Sequence, residues 1–260
     1  GSGTVTIQNG GTFRINIGGS VSTNAPFYAS GSTLQYFTTS SYGRDLEWST
    51  SSGRGYPHHV QISNNTIVNP ANTGATKANV PLRTAGNFTI DSGSALYMDF
   101  SSNNMIEDLV VGGDFILTGS ISASQTSGSD VYVGGNWTND GTSANFFPNG
   151  RGVFLNGSGT QTISGSNSSF PTFPYLLIDK TSGSVSLGRD VQVTAQLTFT
   201  SANTALIDAG SYTLYVSGNA TTAIDRLGVG HVVGNLRRAI ATGSNTYAYP
   251  VGDATNYTPV

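Results

Sequence analysis

Residues 174–216 decide the predicted fold, because they contain six short apolar strands at regular spacing. They read PYLLIDKTSGSVSLGRDVQVTAQLTFTSANTALIDAGSYTLYV. Turn-forming Gly, Ser, Thr or Asn residues bound each strand. The strands are Leu176–Asp179, Val185–Leu187, Val191–Val193, Leu197–Phe199, Leu206–Asp208 and Leu214–Val216. Equivalent positions recur after 20, 21 and 22 residues, from Leu177 to Leu197, from Ser186 to Ile207 and from Gln192 to Leu214.

This repeat predicts a coil of three short strands, which cannot bury its apolar face alone. Coils stacked about 4.8 Å apart would share one core and pair every backbone group with their neighbours. We therefore expect an all-β chain, a right-handed parallel β-helix with three-strand rungs of about 20–22 residues. A β-sandwich is the alternative, since it also has short strands and glycine turns. A sandwich has no reason to repeat at this interval.

Four segments of the chain each place a glycine and then Asn or Asp after an alternating apolar strand. We expect these glycines to adopt a left-handed conformation that turns the chain at a corner. The segments are Val80–Asn87, Leu109–Asp114, Val131–Asn136 and Leu214–Asn219, with turn glycines Gly86, Gly113, Gly135 and Gly218.

The composition also indicates an all-β protein and excludes some functions. Lys, Arg, Asp and Glu make up 25 of 260 residues, about 10%, whereas a soluble domain usually has about 25%. The chain has 34 glycines and a net charge of -3, so no basic surface for nucleic acid is expected. It has no cysteine for disulfides or thiolate metal sites. No apolar run is long enough to predict a membrane span.

Two regions depart from the repeat. Residues 26–60 are rich in aromatic side chains, and we predict an irregular insertion there within a β-helix that covers residues 1–225. Residues 226–260 are predicted to be either the end of the helix or the start of a following β module that is truncated here.

The aromatic segment supplies the candidate ligand-binding residues, namely Tyr36, Tyr42, Trp48 and Tyr56. Exposed Tyr and Trp side chains can stack on sugar rings or anchor a protein partner. The alternative is that these rings pack loops against the rod.

Catalytic and metal sites have weaker support. Glycoside hydrolysis generally needs two carboxylates that flank one bond, but the fourteen acidic residues are scattered. His58 and His59 are adjacent, and neighbours on an extended segment should point to opposite faces. We expect no catalytic residues, no metal site and no cofactor; calcium binding has no supporting repeat motif.

Four short runs stand out from the repeat, namely Tyr42–Trp48, Gly55–Pro57 before Val60–Ile62, Gly157–Gly165 and Tyr249–Asp253. These runs resemble parts of large secreted or cell-surface proteins of the Bacteroidota that carry a type IX secretion signal. The resemblance implies an exported, modular surface protein in which a β-helix precedes further β-sandwich modules.

Together these features predict a non-catalytic structural or adhesive module outside the cell. It would act as a spacer, or present a surface to a polysaccharide or cell-surface glycan, beside other modules of the same chain. The alternative function is a carbohydrate-active enzyme, such as a polysaccharide lyase or a glycosidase.

Overall fold

A computed structural model describes residues 3–71, 79–100, 103–141, 145–167, 171–201 and 204–260. The chain forms two compact units. Unit 1 comprises residues 1–132 and 140–151, and unit 2 comprises residues 133–139 and 152–260. Stacked parallel strands build each unit, which confirms the β-solenoid and rules out the antiparallel sandwich. None of the helices in the described ranges has the length and apolar character that crossing a membrane requires.

Unit 1 has three parallel ladders. The first contains β2 (Thr12–Asn16), β4 (Thr33–Phe37), β6 (His59–Ile62), β9 (Phe88–Ile90) and β12 (Phe115–Leu117). The second contains β5 (Ser41–Tyr42), β7 (Ile67–Val68), β10 (Ala95–Tyr97), β13 (Ser120–Ser122) and β16 (Phe146–Phe147). The third pairs β8 (Leu82–Thr84) with β11 (Leu109–Val111). A short pair joins β1 (Thr6–Ile7) to β3 (Phe27–Tyr28), and a 3-10 helix covers Leu46–Trp48.

Unit 2 uses longer strands that take part in two ladders. One ladder contains β15 (Trp137–Asn139), β18 (Gln161–Ser164), β20 (Val185–Leu187), β22 (Ile207–Val216), β24 (Val232–Arg238) and β25 (Val251–Gly252). Another contains β17 (Gly152–Leu155), β19 (Thr172–Ile178), β21 (Val191–Phe199) and β23 (Ile224–Arg226). The third joins the first halves of β19 and β21 to the second halves of β22 and β24. A 3-10 helix covers Thr221–Ala223, and β14 (Val131–Val133) contains the boundary between the units.

The predicted strands are present, but their register differs by one residue from the sequence comparison. Leu176, not Leu177, pairs with Leu197. Likewise Val185 pairs with Ile207, and Val191 pairs with Leu214. The observed pairs place apolar residues above apolar residues, which buries both in the core. A shift by one residue would place each inward side chain on the outer face.

The short strands form because their side chains alternate between core and surface. In β11 and β14 the outer two residues are buried and the middle residue is half-buried. This period of two is the pattern of a strand with one buried face. The inward side chains are mostly Leu, Val, Ile and Phe, so stacking the rungs makes a continuous apolar core.

The corner glycines were predicted for the wrong reason. Gly86, Gly113 and Gly218 do not have positive φ angles. A Cβ atom at Gly113 would lie 2.3 Å from Asn87 Oδ1, and one at Gly218 would lie 2.4 Å from the carbonyl oxygen of Ala195. These corners therefore need glycine because the neighbouring rung packs directly against the backbone.

The two irregular regions are also part of the ladders. Residues 26–60 include β3, β4 and β5, and β4 pairs with strands on both sides. Between β5 and β6 the chain has no strand, only the 3-10 helix Leu46–Trp48. In the C-terminal region, β24 and β25 continue a parallel ladder of unit 2.

Candidate functional site

The aromatic residues predicted to bind a ligand belong largely to the core of unit 1. Tyr36 and Trp48 are 0% exposed, so neither can offer a face to a ligand. Tyr42 is half-buried, and its ring centre lies 5.4 Å from that of Tyr36. Tyr56 is half-buried in the loop before β6. The expectation of an exposed aromatic face is wrong for Tyr36 and Trp48, and the alternative, packing of the loop, describes both.

Two buried charges explain why this aromatic cluster is internal. The guanidinium of Arg44 donates to the carbonyl oxygens of Trp48 and Pro81 at 3.0 and 2.6 Å, and to that of Val80. Glu47 Oε1 accepts hydrogen bonds from the Asp45 backbone N–H at 2.9 Å and from the Tyr36 hydroxyl at 3.0 Å. The indole of Trp48 donates to the Arg83 carbonyl at 2.8 Å. This network fastens the loop after β5 to the segment before β8.

Burial changes the acid–base properties of this cluster. It raises the pKa of the Glu47 carboxyl, and the hydrogen bonds from Asp45 and Tyr36 only partly oppose this effect. It lowers the pKa of Arg44 to about 10. Burial and the charge of Glu47 raise the pKa of the Tyr36 hydroxyl well above its usual value. Glu47 Oε2 is buried without a hydrogen-bond partner among the described residues. Tyr36, Arg44 and Glu47 are almost fully buried, so we assign them to stability.

A second polar row in unit 1 is also satisfied internally. Arg14 Nε donates to Gln35 Oε1 at 2.6 Å, and Gln35 Nε2 donates to Gln61 Oε1 at 2.9 Å. Gln61 Nε2 then donates to Asp91 Oδ2 at 2.8 Å. A guanidinium can only donate and a carboxylate can only accept, so the charged ends set the direction of both amides. This row locks the rungs in register and offers few free groups to a ligand.

The adjacent histidines lie together, contrary to the expectation that they face opposite ways. Residue 58 is at a bend, and the two ring centres lie 4.4 Å apart. His59 Nδ1 accepts the Asn87 backbone N–H at 2.9 Å, while His58 Nε2 lies 3.2 Å from Ser30 Oγ. Burial and the neighbouring His58 lower the pKa of His59. Within the described ranges, no three His, Asp or Glu side chains come close enough to hold a metal ion.

The best candidate site is a groove on the outer face of unit 2, which we call the unit 2 groove. Its volume is about 320 Å³, within the usual range for ligand pockets. Gln192, Tyr215 and Arg237 occupy paired positions on successive rungs of β21, β22 and β24. Each follows an inward apolar residue, so each points outward. The lining residues are Asp190, Val191, Gln192, Thr213, Tyr215 and Arg237.

The unit 2 groove presents free hydrogen-bonding groups beside an aromatic ring. The Arg237 guanidinium lies 4.5 Å from the centre of the Tyr215 ring and makes no hydrogen bond to the described residues. Gln192 Nε2 donates to Ser217 Oγ at 2.9 Å, and the amide oxygen is left for a ligand donor. One Asp190 oxygen accepts the Thr213 backbone N–H at 2.7 Å. The Arg237 side chain is exposed, while Tyr215 and Gln192 are half-buried.

The side chains of this groove include groups that can contact a sugar. A pyranose ring has C–H groups that can contact the part of the Tyr215 ring that Arg237 leaves uncovered, and hydroxyls that can reach Gln192 and Asp190. The guanidinium can bind a carboxylate through two parallel hydrogen bonds. Only one carboxylate lines the described part of the groove, whereas hydrolysis generally uses two.

The groove residues were missed at the sequence level, although a signal for them was present. Gln192, Tyr215 and Arg237 are the outward residues of Val-Gln-Val, Leu-Tyr-Val and Leu-Arg-Arg. Reading the outward position of each repeat in turn would have aligned them. The aromatic density of residues 26–60 was the stronger pattern, but it marked the core.

Comparison with protein-family models, with curated proteins and with solved structures gave no match to this chain.

Proposed function

We propose that this chain is a non-catalytic extracellular module of a larger surface protein, and that it contacts a glycan through the unit 2 groove. The row of Gln192, Tyr215 and Arg237 carries this proposal. It combines an aromatic ring, an amide and a guanidinium that makes no hydrogen bond to the described residues, all on one outer face. Because Arg237 has no acidic partner among the described residues, the preferred glycan carries carboxylates.

The extracellular setting rests on the resemblance of the short runs described above to secreted surface proteins. The low charge and the regular stack of rungs also suit a module that spaces or displays other parts of a long chain. Its non-catalytic character rests on the presence of one carboxylate, Asp190, among the described residues that line the groove; one of its oxygens already accepts a backbone N–H.

The decisive experiment measures binding and cleavage of soluble polysaccharides together. Isothermal titration with polygalacturonate is expected to show binding, and an assay for new reducing ends is expected to show no cleavage. Tyr215→Ala and Arg237→Ala should each weaken binding about tenfold, since each removes one ligand-facing group. Tyr175→Ala is the matched control, because Tyr175 is an exposed tyrosine of unit 2 outside the groove.

Two results would overturn the proposal. Release of new reducing ends by the wild type would make the module an enzyme. Equal affinity of wild type, Tyr215→Ala and Arg237→Ala, or no affinity of the wild type for acidic polysaccharides, would remove the groove as a glycan site.

A further inference from the structure

One corner of unit 1 is closed by a column of side chains that accept a backbone N–H from the next rung. Asn87 Oδ1 accepts the N–H of Asp114 at 3.0 Å. One rung earlier, His59 Nδ1 accepts the N–H of Asn87 at 2.9 Å. His59 begins β6, and Asn87 lies directly before β9, which pairs with β6. The imidazole of His59 therefore has the same role at this corner as the amide of Asn87 has at the next.

This hydrogen bond fixes the protonation state of the His59 ring. A ring nitrogen that accepts an N–H must keep its lone pair, so Nδ1 is unprotonated and the neutral ring carries its proton on Nε2. A proton on Nδ1 would turn this atom into a donor that faces the N–H donor of Asn87. The amide oxygen of Asn87, in contrast, stays an acceptor throughout the physiological pH range. Of the two corners, the one that His59 closes has the acceptor that acid removes.

The groups around the His59 ring oppose a positive charge on it. The ring centre of His58 lies 4.4 Å away, and burial together with the charge of His58 lowers the pKa of His59. A Cβ atom at Gly86 would lie 2.6 Å from His59 Nδ1 and 2.8 Å from His58 Nδ1, so the corner is tightly packed. From β4, the uncharged Thr33 pairs with His59. The acid of this column, Asp114, is two rungs away, at about 9.6 Å by strand spacing.

We propose that His59 is an acid-sensitive joint between two rungs of unit 1. In acid, a proton from the solvent binds to Nδ1, the hydrogen bond from the Asn87 N–H is lost, and the corner between β6 and β9 loosens. At neutral pH the uncharged ring holds the two rungs together. The inference uses residues of unit 1 and does not depend on the glycan site proposed for unit 2.

The sign of the pH effect follows from the two states of the chain. The unfolded chain protonates His59 near the ordinary value of 6.5, whereas the folded protein has a lowered pKa and protonates it at lower pH. The unfolded state therefore binds more protons in this range, and the unfolding free energy falls as the pH drops from 6.5 through the lowered pKa. The raised pKa of Glu47 acts in the opposite direction, so each variant is compared with the wild type at each pH.

His59→Asn is the first test, because asparagine supplies an acceptor that does not titrate, as Asn87 does on the next rung. Trp48 lies in unit 1 and Trp137 in unit 2, so urea unfolding followed by fluorescence in a Trp137→Phe background reports on unit 1. Between about pH 7.5 and about pH 5.5, the wild-type midpoint should fall by about 0.5 M relative to that of His59→Asn. A constant difference between the two proteins over this range would overturn the proposal.

Hydrogen exchange of the backbone amides shows where the effect occurs. Protection of residues 84–90, corrected for the intrinsic rate at each pH, should drop about tenfold in acid in the wild type and stay constant in His59→Asn. His231→Asn is the matched control, since His231 is the histidine of unit 2. This variant should keep the full acid response of residues 84–90; loss of that response would contradict the assignment to His59.

A titration of the wild type needs no substitution and therefore does not depend on how the variants fold. The ring resonances of His59, followed by NMR, should titrate with a midpoint below 6.5, and the amide resonance of Asn87 should shift with the same midpoint. A midpoint at or above 6.5, or an Asn87 amide that does not respond as His59 titrates, would refute the joint.

Discussion

Each unit of this protein contains a fully buried cationic side chain, Arg44 in unit 1 and Lys180 in unit 2. Arg44 binds carbonyl groups of an irregular loop and of distant segments, whereas Lys180 binds carbonyl groups at one tight corner. In unit 1, Arg44 donates to four carbonyl oxygens, those of Trp48, Pro70, Val80 and Pro81. In unit 2, Lys180 Nζ donates to Gln161 Oε1 and the Gly159 carbonyl at 2.8 Å, and to the Gly157 carbonyl. Burial lowers the pKa of Lys180 to about 8.

The difference follows from the shape of the two side chains. A guanidinium holds five donors in a flat fork and can bridge widely spaced segments. Arg44 therefore fastens an irregular loop to a segment more than 25 residues away. An ammonium is compact, and Lys180 fits one tight corner lined by glycine carbonyls.

Replacement of Arg44 should have the largest effect. Arg44→Ala leaves buried carbonyls without donors and Glu47 without a nearby cation, so we expect a loss of about 3–5 kcal/mol. The chain has two tryptophans, with Trp48 in unit 1 and Trp137 in unit 2. Urea unfolding of a Trp137→Phe background therefore reports on unit 1. Arg54→Ala, at an exposed arginine, is the control; an equal loss in both variants would refute the role of Arg44.

Replacement of Lys180 should have a smaller effect, confined to unit 2. Lys180→Met keeps the volume of the stem but removes three donated hydrogen bonds, with an expected loss of about 1–3 kcal/mol. Trp137 fluorescence in a Trp48→Phe background measures this loss. Arg237→Ala serves as control and should stay within about 0.5 kcal/mol. A loss for Lys180→Met above that for Arg44→Ala would contradict the comparison.

Replacement of Glu47 should have the smallest effect and the clearest pH dependence. Burial raises the pKa of Glu47 above its ordinary value of 4.5. At pH values between 4.5 and the raised pKa, the folded protein therefore keeps a proton on Glu47 that the unfolded chain has released. The unfolding free energy of the wild type therefore falls as the pH rises from 4.5 through the raised pKa. Glu47→Gln keeps an oxygen that accepts hydrogen bonds but has no group that titrates, so its unfolding free energy should not fall in this way. We expect it to be about 1 kcal/mol more stable than the wild type at neutral pH.

Glu107→Gln is the matched control for this substitution, because Glu107 is the only other glutamate of the chain. Unfolding free energies of the three proteins at several pH values between 4 and 8 provide the comparison. A constant difference between wild type and Glu47→Gln over this range would show that Glu47 does not titrate in it.

The repeat could be read from residues 174–216, because short apolar strands recur there at a regular interval. The register could not be read to a single residue, since Leu176 and Leu177 are both leucines and either could face inward. Tyr36 and Trp48 were misassigned because an aromatic-rich segment looks the same in sequence whether its rings are exposed or buried. Tertiary contacts decide the matter: the Tyr36 hydroxyl donates to Glu47 in the loop after β5, and the Trp48 indole donates to the Arg83 carbonyl.

The amino-acid sequence by itself determined the class of fold, since short alternating strands, glycine corners and low charge are local properties. Only the tertiary structure decided which outward residues meet, because Gln192, Tyr215 and Arg237 are more than 20 residues apart and become neighbours through stacking. The glycines also show this difference. The sequence shows where they lie, but the reason for Gly113, the close approach of the neighbouring rung, exists only in the packed structure.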